Sequence, residues 1–133
     1  LKEKGSYKKE IIIPLAENGK FEFLSGDFEI FEGFKAVKVG GHSMGMQILK
    51  IQSNGKVAYF LGDLIPTEAH LKLNWIASYD LEPLKILSIK ESFLKKALEE
   101  EAIFLLYHET KKPVGRLKID MEGNYFLEKL KEM

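Results

Sequence analysis

Apolar and polar residues alternate with period two in several short runs of this chain, and each run stops at a turn-forming residue. Phe21–Leu24 alternates up to Ser25-Gly26-Asp27, and Phe28–Phe31 alternates again up to Glu32-Gly33, which predicts two short strands around a turn. Phe34–Val39 points its lysines to one side and runs directly into Gly40-Gly41-His42, as a half-buried strand would. Ile48–Gln52 and Val57–Phe60 flank Ser53-Asn54-Gly55-Lys56, and Asn-Gly between two apolar runs is a strong hairpin signal. If Ser53 faces Lys56, then Met46 faces Asp63, and the hairpin returns Asp63 to the end of the sheet where His42 lies. Before these runs, Lys2–Glu10 is polar and reads as loop or sheet edge, and Ile11-Ile12-Ile13 is a short apolar run stopped by Pro14.

After Asp63 the period is lost through Pro66, His70, Trp75 and Tyr79, which predicts an irregular segment over the sheet end. Helical spacing then begins. Asp80 is the expected N-cap and Pro83 occupies the first turn, while Leu84, Leu87, Leu94, Ala97 and Leu98 form the expected inward face of a helix over 83–101. Glu99-Glu100-Glu101 reads as its solvated end. Ala102–Tyr107 is short and uniformly apolar, like a strand covered on both faces, and it delivers His108. Arg116–Asp120 and Tyr125–Leu127 form a last hairpin around Glu122-Gly123-Asn124.

At 133 residues and 45% hydrophobic content, the chain is long enough for one domain with a substantial core. Its 20 basic and 20 acidic residues cancel, and no basic stripe points to nucleic acid. No apolar run approaches the roughly 20 residues needed to span a bilayer. The absence of cysteine removes disulfides and thiolate metal sites, fits a reducing, cytoplasmic setting, and restricts metal chemistry to His, Asp and Glu. Leu1 is not a start residue, and the opening residues read like the interior of a longer chain rather than an export signal.

Three good ligand residues, His42, Asp63 and His108, therefore stand where apolar strand runs stop. Gly41-His42-Ser43-Met44-Gly45 resembles the T-P-G-H-T-x-G motif of the metallo-β-lactamase-fold hydrolases, Leu61-Gly62-Asp63 resembles their bridging-aspartate motif, and Tyr107-His108 resembles their last metal histidine. The resemblance covers nearly the whole chain but only the C-terminal half of the family's domain, since the H-x-H-x-D-H signature is not among residues 1–133. Met44 in place of proline, and Met46 in place of a frequent histidine, depart from the motif without touching a carried-over ligand.

The resemblance implies an α/β fold, one half of an αββα sandwich, with a mixed sheet and the 83–101 helix on one face. It implies two ions, usually zinc or another divalent metal, and a bridging hydroxide that attacks an ester, lactone, thioester, amide or phosphodiester of a small-molecule substrate. By the same resemblance, His42 binds one metal, Asp63 bridges both and serves the chemistry, and His108 binds the other. A shared carboxylate screens the repulsion of two neighbouring cations, which fits this division. Tyr79 is either a catalytic residue that polarises a substrate carbonyl, as in related lactonases, or a buried aromatic holding the loop. Trp75 reads as packing, and His70 as structural or near the pocket.

Two functions follow from these expectations. The chain is part of a metal-dependent hydrolase completed by an N-terminal half, or it is an inactive fragment or subunit that associates with a partner half or a second copy of itself. A metal-free ligand-binding module gives no reason for ligands at three strand ends.

Overall fold

The computed structural model describes residues 8–130. β1 (Phe28–Phe31), β2 (Phe34–Lys38), β3 (Gln47–Ser53) and β4 (Lys56–Phe60) form an antiparallel meander. The same sheet continues in chain order with β5 (Ile103–Leu105), β6 (Val114–Ile119) and β7 (Tyr125–Glu128). Among the described residues only the β4–β5 pairing is parallel, so the chain between them must cross over. That crossover carries a 3-10 turn (Glu68–Leu71) and helix α2 (Pro83–Glu99), while a short helix α1 (Lys9–Glu17) precedes the sheet.

Ser53 pairs with Lys56, with Asn54 at φ 48° and Gly55 at φ 71°, as a tight Asn-Gly hairpin requires. Paired residues share a face of a sheet. Val37 with Ile48, Tyr59 with Phe104 and Leu117 with Leu127 therefore point the same way, and they pack with Ile86, Leu94 and Ala97 of α2 as the core. Phe93 of α2 stacks on Phe104 at 5.7 Å and takes the edge of Tyr59 at 4.9 Å. The opposite face carries Ala36, Leu49, Ile51, Ala58, Phe60, Ile103 and Leu105. It is as apolar as the core face, yet except for Ala36 these residues are only half-buried.

Several elements differ from their sequence reading. Ile11–Ile13 lie in α1, which runs on through Pro14 instead of stopping there, and no residue of α1 is buried. Apolar runs that find no ladder partner have no reason to stay extended. Phe21–Leu24 forms no strand for the same reason, and Phe28–Phe31 pairs forward with β2 around Gly33 instead. Of the polar Lys2–Glu10 stretch, residues 2–7 lie outside the described residues, and Lys9 and Glu10 begin α1. α2 ends at Glu99 rather than 101, and its inward face is rotated, leaving Leu84 81% exposed. Glu100 is not solvated: it accepts from Lys50 Nζ at 2.8 Å and from the Tyr59 hydroxyl at 2.6 Å. Burial works against its ionised form, but these two donors hold its carboxyl below the usual range.

Lys90 is the largest departure. Outside the expected inward face of the helix, it is nonetheless fully buried, with Nζ donating to the carbonyls of Lys72 (2.6 Å), Leu73 (3.3 Å) and Trp75 (2.9 Å). The irregular segment leaves those carbonyls without ladder partners, and a long cationic side chain from α2 supplies the donors.

Candidate functional site

The loop after β2 is closed by Val39 N and Gly40 N, which both donate to Met46 O at 2.9 and 3.0 Å. Gly41 has φ +90°, and a Cβ there would meet Ile86 Cδ1 at 2.5 Å, so only glycine lets this backbone lie against the start of α2. The contact is then hydrogen-bonded: Glu82 N donates to Gly41 O at 2.9 Å and Leu81 N to His42 O at 3.4 Å. His42 thus stands on a loop zipped to residues 81–82. Beyond β4, Leu61 N donates to Leu105 O at 3.2 Å, and Gly62 at φ +50° turns the chain so that Asp63 leaves the sheet at the same end. His108 follows β5 and is tied by its own N–H to Pro66 O at 3.1 Å.

The three side chains meet. Asp63 Oδ1 lies 2.9 Å from His108 Nε2, and Asp63 Oδ2 lies 3.5 Å from His42 Nε2. One carboxylate therefore presents one oxygen to each imidazole. His42 Nδ1 lies 2.8 Å from Asp80 Oδ1, while Asp80 Oδ2 accepts from Ala77 N at 3.2 Å. Access to solvent is graded: the side chain of Asp80 is 2% exposed, His42 24%, Asp63 31% and His108 49%. Tyr79 stands edge-on to His42 with ring centroids 5.5 Å apart and is exposed rather than buried, and Tyr107 stands against His108 at 4.7 Å. His70 hydrogen-bonds Thr67 Oγ1 at 2.7 Å; burial first, and then the Lys90 cation, hold its imidazole below the usual histidine range against the pull of Asp80. Trp75 is half exposed, with Lys72 Nζ over its ring at 4.9 Å.

Two imidazoles and a carboxylate, with no thiolate, are donors suited to zinc and similar divalent ions. Yet among the described residues no group of three or more His, Cys, Asp or Glu is arranged to hold a metal ion. A catalytic zinc takes three protein ligands. The donors fit part of a site: two pairs that share Asp63, neither a full set.

The sequence singled out His42, Asp63 and His108, and the structure brings them together. It missed Asp80, which was read as a helix cap. The N-cap position belongs to Glu82, and no side chain caps the helix there. Asp80 instead reaches back 38 residues to His42, a contact with no local signal.

No protein-family model and no curated protein matches the sequence. Solved structures do match. One, a probable metal-dependent hydrolase from Staphylococcus aureus, is 30% identical, with a TM-score of 0.74 over 86% of this chain. A second, the hydrolase AbOPH in the beta lactamase superfamily, superposes with a TM-score of 0.79 over 94% of this chain at 16% identity. This chain carries the metallo-β-lactamase fold. A dizinc quorum-quenching lactonase, AidC, shares that fold with it at a TM-score of 0.71 and 20% identity over 98% of this chain. The chain spans less than half of these structures, 42%, 43% and 48% of their length. Among the described residues no helix is long and apolar enough to cross a membrane.

Proposed function

We propose that residues 1–133 are the C-terminal half of the catalytic domain of a metal-dependent hydrolase, acting on ester, lactone or related bonds of a small molecule. One observation carries the reading: Asp63 faces a different imidazole Nε2 with each of its two oxygens, as a carboxylate shared between two ions must. His42 and Asp63 would hold one divalent ion and His108 and Asp63 the other, with the remaining ligands supplied by an N-terminal half, in the same chain or as a partner. Bound divalent ions lower the pKa of water toward neutrality and polarise a carbonyl. Asp63 would offset the charge of both ions, and Tyr79, exposed beside His42, would polarise a substrate carbonyl by donating a hydrogen bond from its hydroxyl. Zinc is the expected metal, as in the dizinc lactonase of the same fold.

Zinc titration of the 133-residue chain should show weak binding, and turnover of esters and lactones should be absent until a half bearing H-x-H-x-D-H is supplied. Asp63→Ala removes both ligand pairs at once and should abolish the residual binding, whereas His42→Ala and His108→Ala each leave one pair. Tight stoichiometric zinc with turnover in the chain alone would overturn the half-site reading.

A second reading is favoured by the lack of any three-residue metal group among the described residues: a subunit that associates with a partner half and catalyses nothing. Both readings require the half-buried apolar sheet face, with Leu49, Ile51, Phe60 and Leu105, to be covered by that half or by a second copy of the chain, since monomers rarely leave a large apolar patch bare. Light scattering should show self-association or aggregation without the partner, and a stable monomer at high concentration would contradict it.

A further inference from the structure

We infer that Asp80 is the positioning residue for His42, fixing the proton of its imidazole on Nδ1 and leaving the Nε2 lone pair directed to the side where Asp63 lies. An ionised carboxylate only accepts hydrogen bonds, and a buried one must find donors. The Asp80 side chain is 2% exposed, and its two oxygens have two partners: Ala77 N–H at Oδ2 (3.2 Å) and His42 Nδ1 at Oδ1 (2.8 Å). The first partner is a donor by construction, so the second must be an N–H as well. A neutral imidazole has one N–H. With the proton committed at Nδ1, Nε2 is the acceptor, 3.5 Å from Asp63 Oδ2, too long for a good hydrogen bond and in keeping with a lone pair rather than a donor there.

The backbone makes this arrangement hard to escape. Leu81 N and Glu82 N are bonded to His42 O and Gly41 O, and Asp80 N to Ala77 O at 3.0 Å, so the carboxylate and the ring are carried on two segments zipped together beside the contact. A carboxylate of this kind behind a ligating histidine fixes ring orientation and raises ligand basicity. The tautomer stands on this chain's own hydrogen bonds; only its bearing on metal binding rests on the half-site reading above.

The experiment is long-range nitrogen–proton NMR on the metal-free chain, labelled at histidine and observed at a pH where the rings are neutral. His42, assigned by its loss in His42→Ala, should show a protonated Nδ1 and an unprotonated Nε2. In Asp80→Ala the proton should move to Nε2, the form favoured by free imidazole, while in Asp80→Asn the amide oxygen still accepts and Nδ1–H should persist in part. A neutral wild-type ring protonated at Nε2, or a tautomer unchanged in a folded Asp80→Ala chain, would overturn the inference. The wild-type measurement decides it even if the variant fails to fold. Zinc titration of the same proteins is a separate reading: Asp80→Ala should weaken binding by about 10–100-fold. An Nδ1–H wild-type ring in a chain that binds zinc tightly and turns over substrate on its own would sink the half-site reading and leave this assignment standing.

Discussion

Replacing Lys90 with methionine is expected to cost the fold about 3 kcal/mol, the loss of charge-assisted hydrogen bonds together with acceptors left without a partner. Methionine fills much of the same space, so packing is largely kept and the loss reports the ammonium group. The carbonyls of Leu73 and Trp75 lose the ammonium donor, Lys72 O is left with Trp75 N–H alone, and Asp80 loses the cation that interacts with it. The effect depends on pH. Burial pushes the Lys90 ammonium down from 10.5 to about 8, with Asp80 opposing the shift. Between those values the unfolded chain holds the proton and the folded chain has released it, so raising the pH favours the folded state. The wild type should therefore gain stability relative to Lys90→Met as pH rises from about 8 to 10.5, and urea midpoints of the two proteins across that range test the sign. A stability difference that is flat or shrinking over that range would show that Lys90 keeps an ordinary pKa in the fold.

Phe104→Ala should cost about 3–5 kcal/mol, the range for emptying a buried aromatic site. Phe104 is fully buried, stacked on Phe93 at 5.7 Å and edge-on to Tyr59 at 6.4 Å, so Phe93 and Tyr59 each lose a ring contact. It is also the middle residue of β5, a strand of only three residues that joins the meander to β6 and leads to His108. Of a typical domain stability of about 5–15 kcal/mol, such a loss leaves little. Thermal melts should fall by about 10 °C or more, and any chain that remains folded should show a displaced His108 resonance. A melt within a few degrees of wild type would mean that β5 is held by its ladder and not by its ring.

What could be read from the sequence was local. Asn54-Gly55 set the hairpin, the hairpin set the register, and the register carried Asp63 to the end of the sheet where His42 stands. The glycines at 41 and 62 marked the points where the chain leaves the sheet, because the required φ excludes other side chains. What could not be read depends on partners far along the chain. A lysine on a helix looks solvated unless one knows that three loop carbonyls lie over it, and an aspartate before a helix looks like a cap unless one knows that His42 lies beside it. Glu100 followed the same pattern, taken as surface until Lys50 and Tyr59 arrive from the sheet. Phe21–Leu24 shows the reverse error, alternation with no neighbouring strand to use it.

The order of strands in the sheet is the order of strands in the chain, so β1 to β4 close through short connections whereas β5 must wait for the whole crossover. Loop closure costs more entropy as loops lengthen, and contacts close in sequence form sooner. By that rule His42 and Asp63 are expected to meet first, in the meander, with Asp80 and His108 joining once the crossover docks. A fold halted once the meander and the turn to Asp63 had formed would hold one imidazole facing one carboxylate, with nothing yet to fix the imidazole's proton.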